Sequence, residues 1–298
     1  MRNDKKVENI ACYLMILPMI IGLLVFTLYP IFWIAKYSVY DYDGVNAIFT
    51  GLANYKRIFT NEPGYWKSIL NAIIIAYGKL IIEIPLALII AVLLKKRQVS
   101  NDIFRGIFYM PAIIGISVCA VVFTKIFATS GGIINDLFKQ MGIIKEPINW
   151  FGQKWTAMLV IIIMSIWKNF GLNMLFFMAG VQGISSDYYE AAEIDGATRT
   201  QQFFKITLPL LMPVARTIVL LAISSGIQLL DPVMLLTTGG PGGSTNVVML
   251  YIYQHFFETN TTAPQIGFSS ALGIVTSVII FILSIAYLKL SDKTEKTI

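Results

Sequence analysis

Charge is what this sequence has least of. Only 13% of its 298 residues are Asp, Glu, Lys or Arg, while 56% are apolar and the mean hydropathy is +0.70. A soluble domain carries about a quarter charged residues, so the composition excludes an ordinary soluble fold and indicates a chain integral to a membrane. Cysteine is almost missing: Cys12 and Cys119 both lie in apolar runs, which excludes a disulfide framework and metal-ligand spacing. A single histidine, His255, is too little for a His-based metal site. No G-x-x-x-x-G-K-[ST] stretch occurs. GGPGGST at 239–245 is glycine-rich but lacks the lysine that meets phosphates. The chain is therefore not expected to hold ATP or any other cofactor itself, and it shows no clustered catalytic groups. The net charge of +6 is modest. In a membrane protein such an excess sits in cytoplasmic loops and is not a nucleic-acid footprint.

What is there is long apolar runs. A spanning helix needs about 20 mostly apolar residues, and six candidates are present, at 10–37, 69–94, 104–127, 156–182, 213–235 and 265–289. They are continuous, so they predict helices rather than the short alternating strands of a barrel. The first is uncharged from Asn9 to Ala35 and is followed by no small-residue cleavage site, so it reads as a retained span rather than a signal peptide. No internal repeat or soluble segment interrupts the pattern. The expectation is an all-α, six-span bundle occupying 1–298 as a single membrane domain.

Basic residues set its orientation. Arg2, Lys5 and Lys6 precede the first span, and Lys95, Lys96, Arg97 and Arg105 follow the second. Arg199, Lys205 and Arg216 flank the fourth connection, and Lys289, Lys293 and Lys296 end the chain. The opposite loops hold Lys56, Arg57, Lys67, Lys139, Lys145 and Lys154. The bias of about two to one predicts that both termini are cytoplasmic. The loop at 236–264 has no Lys or Arg and falls outside, as do 38–68 and 128–155.

The cytoplasmic segment 183–212 is unusual because it is acidic on the basic side. Asp187, Glu190, Glu193 and Asp195 would be repelled by an anionic leaflet, so they are expected to face water or a protein. Asp187 with Glu190 suits a helix start, Gly196 a helix end, and Thr198 with Gln201 a second start. Tyr188, Ala191 and Ala192 share a face. The prediction is a short helix–turn–helix leading through Pro209 into the fifth span. A solvated helical loop accounts for the same residues.

The stretch EAAEIDGATRTQQFFKITLP resembles the EAA loop of ABC importer permeases: E-A-A, three residues, G, nine residues, I, any residue, L-P. Glu190, Ala191, Ala192, Gly196, Ile206, Leu208 and Pro209 match every named position. The whole chain is similar to carbohydrate permeases of the maltose/glycerol-phosphate type, and to their first permease subunit. The opening LMILPMIIGLLVFTLYPIF, the ANYKRIF segment at 53–59 and GGPGGST all contribute. The resemblance implies that Glu190 to Gly196 form a coupling helix seated in a separate ATPase. It implies a second permease chain and two ATPase subunits that carry ATP and Mg. It also implies an extracytoplasmic binding protein that delivers a sugar, with the whole assembly in a bacterial cytoplasmic membrane. Gly239, Gly240, Pro241, Gly242, Gly243 and Ser244 would then lie at the mouth of the pathway, although a flexible turn explains them as well.

Polar residues within the spans are the remaining candidates, because each is costly in lipid. Lys79 and Glu83 are four apart and suit an ion pair. Trp167, Asn169 and Asn173, with Lys168, suit either a sugar or interhelical bonding. Gln228 and Asp231 follow Ser224 at helical spacing. A permease for amino acids, peptides or phosphate, and more remotely a secondary transporter, remain alternatives.

Overall fold

The computed structural model describes residues 2–95, 99–257 and 263–295. Lys96, Arg97 and Lys296 of the charge pattern, and part of the 236–264 loop, lie outside the described residues. Helix α1 (Arg2–Leu23) passes through a π-turn at Leu24–Leu28 into α2 (Tyr29–Tyr37). A hairpin follows, β1 (Tyr40–Tyr42) paired antiparallel with β2 (Ala47–Phe49), then α3 (Ala53–Thr60) and the long α4 (Pro63–Leu93). Next come α5 (Val99–Ile113), α6 (Ile116–Ile126), α7 (Ile133–Gln140) and α8 (Lys154–Gln182). The acidic segment forms α9 (Ser186–Ile194) and α10 (Arg199–Gln202), and a π-turn at Phe203–Thr207 leads into α11 (Leu208–Ile227). Short helices α12 (Asp231–Leu236) and α13 (Val248–Phe256) precede α14 (Ile266–Glu295).

Among the described residues, five helices are long and apolar enough to cross a membrane, and α5 with α6 forms a sixth candidate bent by 95°. The predicted third span, 104–127, is therefore not one helix. Gly115 adopts an extended ψ of 136° and restarts the chain as the cap of α6. Hydropathy registers composition and not direction, so the run gave no sign of the turn. The predicted fifth span, 213–235, is likewise divided. Its helix begins at Leu208 and ends at Ile227, where the Gln228 amide closes the last turn on the Ser224 carbonyl at 3.2 Å. Pro232 then opens α12, in the first turn where no amide hydrogen is needed. The 38–68 loop holds the only strand pair among the described residues. Its turn is built by Asp43, whose Oδ1 accepts from the amides of Val45 (2.8 Å) and Asn46 (2.6 Å).

The described residues fall into two compact units. The smaller takes in the described residues within 1–63 and 252–279. Asn54 donates to the carbonyls of Ser38 and Tyr40 at 2.9 and 2.8 Å, which fastens α3 under the hairpin. Arg57 of the ANYKRIF segment lies 3.8 Å over the Phe268 ring and bonds Glu62 and Gln265, each at 2.7 Å. Gly267 leaves room for the backbone of Tyr40, with which any side chain would collide.

The larger unit contains 64–251 and 280–298. Its core between α4, α8 and α11 is apolar, with Ala87, Ala91, Met174, Phe177 and Ile218 buried together. Two glycines set its closest approaches. Gly171 of α8 lies against the Phe108 carbonyl of α5, and Gly226 of α11 lies against Ala76 of α4. A Cβ at either position would overlap the facing backbone or side chain, so small residues decide how near these helices come.

Candidate functional site

The acidic segment folds as a helix–turn–helix. Ser185, not Asp187, caps α9: its hydroxyl accepts from the Asp187 amide at 3.3 Å. Ser185 still has the extended ψ that a cap requires, 141°, whereas Asp187 already sits within the first turn. Its carboxylate there still suits the positive helix end. Gly196 ends α9 at φ +78°. The Gly196 amide bonds the Glu193 carbonyl at 3.1 Å, and the Ala197 amide reaches back to Ala192 at 2.8 Å. This paired closure requires a left-handed residue, which is why glycine stands there. Thr198 and Gln201 then form a reciprocal capping box, with bonds of 3.3 and 2.8 Å.

One side of this structure is fastened and the other is open. The Tyr189 hydroxyl shares a 2.9 Å bond with the buried Thr207, and Lys95 at the end of α4 lies 3.7 Å over the Tyr189 ring. Ile206, Leu208 and Pro209 are half-buried where the loop joins α11. Glu190, Ala191 and Gly196 are exposed, Ile194 is 87% exposed, and a Cβ at Gly196 would meet nothing. Ala192 is half-buried. The sequence pattern grouped Tyr188 with the alanines, and Tyr188 does lie on the open side. It did not single out Tyr189, because two adjacent tyrosines look alike until the helix phase is known.

The intramembrane candidates divide. Lys79 and Glu83 are buried as a pair with 3.7 Å between charged atoms, and Asn173 of α8 donates to the other oxygen of Glu83. Asn173 thus ties α8 to α4. Asn169 bonds back to the Ser165 carbonyl of its own helix at 2.8 Å. Trp167 packs with its ring 5.6 Å from Phe123 of α6. Lys168 donates to three carbonyls, those of Ile114 at 2.7 Å and of Pro111 and Ala112 at 3.4 Å. Gln228 and Asp231 are exposed, but the helix break between them removes the single face the sequence spacing gave them.

The glycine-rich loop is closed by hydrogen bonds of its own and from α4. Gly239, Gly242 and Gly243 all have positive φ. The buried Thr245 donates to the Gly240 carbonyl at 2.6 Å and contacts Thr237 at 3.0 Å. From α4, Asn71 donates to the carbonyls of Ser244 and Asn246 at 2.9 and 2.8 Å. Loop and helix are stitched together, with Pro241 exposed at the tip.

With this geometry established, four likenesses bear on it: one to a family, two to relatives and one to a solved structure. The family described as "Binding-protein-dependent transport system inner membrane component" matches residues 83–296. A "Probable ABC transporter permease protein YesP" of Bacillus subtilis (strain 168) is 34% identical, over 96% of this chain and 91% of its own. The "Arabinooligosaccharides transport system permease protein AraP" of the same organism is 30% identical, over 95% of this chain and 89% of its own. Among solved structures, a chain from a bacterial ABC transporter "involved in the import of the acidic polysaccharide alginate" superposes with a TM-score of 0.83. It covers 98% of this chain and 99% of that one at 21% identity, a likeness of fold.

Proposed function

The chain belongs to the binding-protein-dependent inner membrane components, the permease subunits of ABC importers, and from that premise we propose that it carries a sugar or oligosaccharide inward. It is a multi-pass inner membrane protein and a non-catalytic component of its complex. The carbohydrate reading is supported by its likeness over nearly the full chain to a permease for arabinooligosaccharides.

In this reading α9 is the coupling helix. The observation that carries it is the division of the helix–turn–helix into two sides. Tyr189 fastens one side to Thr207 and Lys95, while Glu190, Ala191 and Gly196 present a small, unobstructed surface on the other. A partner ATPase needs both features: a surface to approach closely, and a stiff link to the spans. The loop lies beside Lys95 just past the end of α4, and Arg216, in the first half of α11, bonds the Ser291 carbonyl at 2.6 Å. These contacts gather basic regions at one end of the larger unit, which supports a cytoplasmic loop and a cytoplasmic C-terminus. A second permease chain completes the pathway, two ATPase subunits bind ATP and Mg, and an extracytoplasmic protein delivers the solute. Closure of the ATPases moves the coupling helices, and the bundle changes access as a rigid-body shift.

The test is Glu190→Lys in the reconstituted importer. Reversing charge at a crowded contact costs about 2 kcal/mol or more, so uptake falls by roughly thirtyfold and hydrolysis loses its dependence on the binding protein. Wild-type uptake with normal coupling would remove the assignment. Uptake of labelled oligosaccharides against amino acids and phosphate tests the substrate class.

A further inference from the structure

The bend in the third span has a chemical problem that the chain solves in an unusual way. The last carbonyls of α5 have no helical amide ahead of them, because the chain turns away at Ile114 and Gly115. In water such groups would be solvated, but within a bilayer they must find partners in the protein. The carbonyls of Pro111, Ala112 and Ile114 find one: the ammonium of Lys168, near the middle of α8. A lysine ammonium has three donors, and three carbonyls surround it. It also lies at the negative end of the α5 dipole, where a cation is stabilised.

The neighbours of Lys168 hold both arms of the bend. Trp167 packs against Phe123 of α6 with 5.6 Å between ring centroids. Phe170 packs against Phe108 of α5 at 5.8 Å, and Gly171 admits the Phe108 backbone. One stretch of α8, residues 167–171, therefore grips α6, the corner and α5 in turn.

We propose that Lys168 is a positioning residue for transport: a resident cation that fixes the corner of the third span, so that α5, α6 and α8 move as one piece. In ion-coupled carriers the C-terminal ends of interrupted helices coordinate an exchangeable sodium ion. Here the cation is tethered to the protein and does not exchange, so this corner needs no coupling ion. The inference rests on the permease reading but not on the coupling helix. Glu190 variants report on ATPase docking, whereas Lys168 variants report on the corner.

The experiment compares Lys168→Met, which keeps length and removes the charge, with Lys168→Arg, which keeps the charge and the donors. Both are made in the complete importer, and uptake is measured against substrate concentration. In Lys168→Met the maximal rate is expected to fall by roughly tenfold or more, with the half-saturating concentration changed by less than about threefold. Lys168→Arg is expected to recover to within about threefold of wild type. A Met variant that transports at the wild-type rate overturns the proposal, as does a dominant change in half-saturation, which would place Lys168 on the substrate. If the Met variant fails to assemble, the comparison passes to assembly yield. Arg must then assemble where Met does not, and equal failure of both overturns the proposal.

Discussion

The acidic helix–turn–helix and the corner of the third span handle polar groups in opposite ways. In the loop, backbone needs are met locally by Ser185, Gly196, Thr198 and Gln201, which leaves the Glu190 side open. At the corner and in the neighbouring helices, polar groups are spent on one another: Lys168 on three carbonyls, Glu83 on Lys79 and Asn173. The difference follows from solvent. A loop in water can leave a carboxylate exposed at no cost, while a span in lipid cannot leave a charge unpaired. Polar residues outside the bilayer are therefore available to a partner, and those inside are mostly committed to the fold.

That contrast can be broken by variants, beginning with the largest expected effect. Glu83→Leu strands Lys79 without its counter-charge and should destabilise the protein by about 3–5 kcal/mol. The double variant Lys79→Leu/Glu83→Leu should recover most of the loss, because a buried pair gains little over an apolar one. Thermal unfolding in detergent reads both, and a double variant as unstable as the single would show that the pair does more than cancel itself. Asn173→Leu should cost about 0.6–1.7 kcal/mol, the measured range for interhelical bonds in membrane bundles. Its half-saturation for uptake should be unchanged; a raised value would return Asn173 to the substrate pathway and weaken the contrast.

The smallest effect is at Asp43, outside the spans. The Val45 and Asn46 amides hold its carboxyl below its ordinary value of 3.8. A group with a depressed folded value stabilises above its unfolded value and loses that contribution as pH falls through the folded one. Protection of the Val45 and Asn46 amides against hydrogen exchange, taken relative to the intrinsic rate at each pH, should therefore fall in acid below that ordinary value. Asp43→Asn should flatten this dependence, and an unchanged acid limb would show that the turn does not depend on the carboxylate.

The same division explains what could be read from the sequence. The acidic helix–turn–helix was legible because its rules are local: Gly196 and the Thr198–Gln201 box act within five residues of themselves. Only the start of α9 was misplaced, by two residues, since Ser185 and Asp187 are both good caps. The spans were legible as length and composition. The corner at Gly115 was not, because one glycine in an apolar run signals neither a bend nor its direction. Nor did the sequence show that Lys168 meets residues 111–114 across more than fifty positions of chain, or that Asn173 reaches Glu83 ninety residues away. Such pairings exist only once helix faces are chosen, and Gly171 and Gly226 choose them by letting backbones touch.

The stitching of Asn71 to the glycine-rich loop has a consequence for anything that meets that loop. A segment whose backbone is already bonded within its own fold has less freedom to surrender when something lands on it. Recognition there is a matter of matching shape rather than of recruiting order, so a visitor that fits settles quickly, and its departure is governed by the contacts it makes.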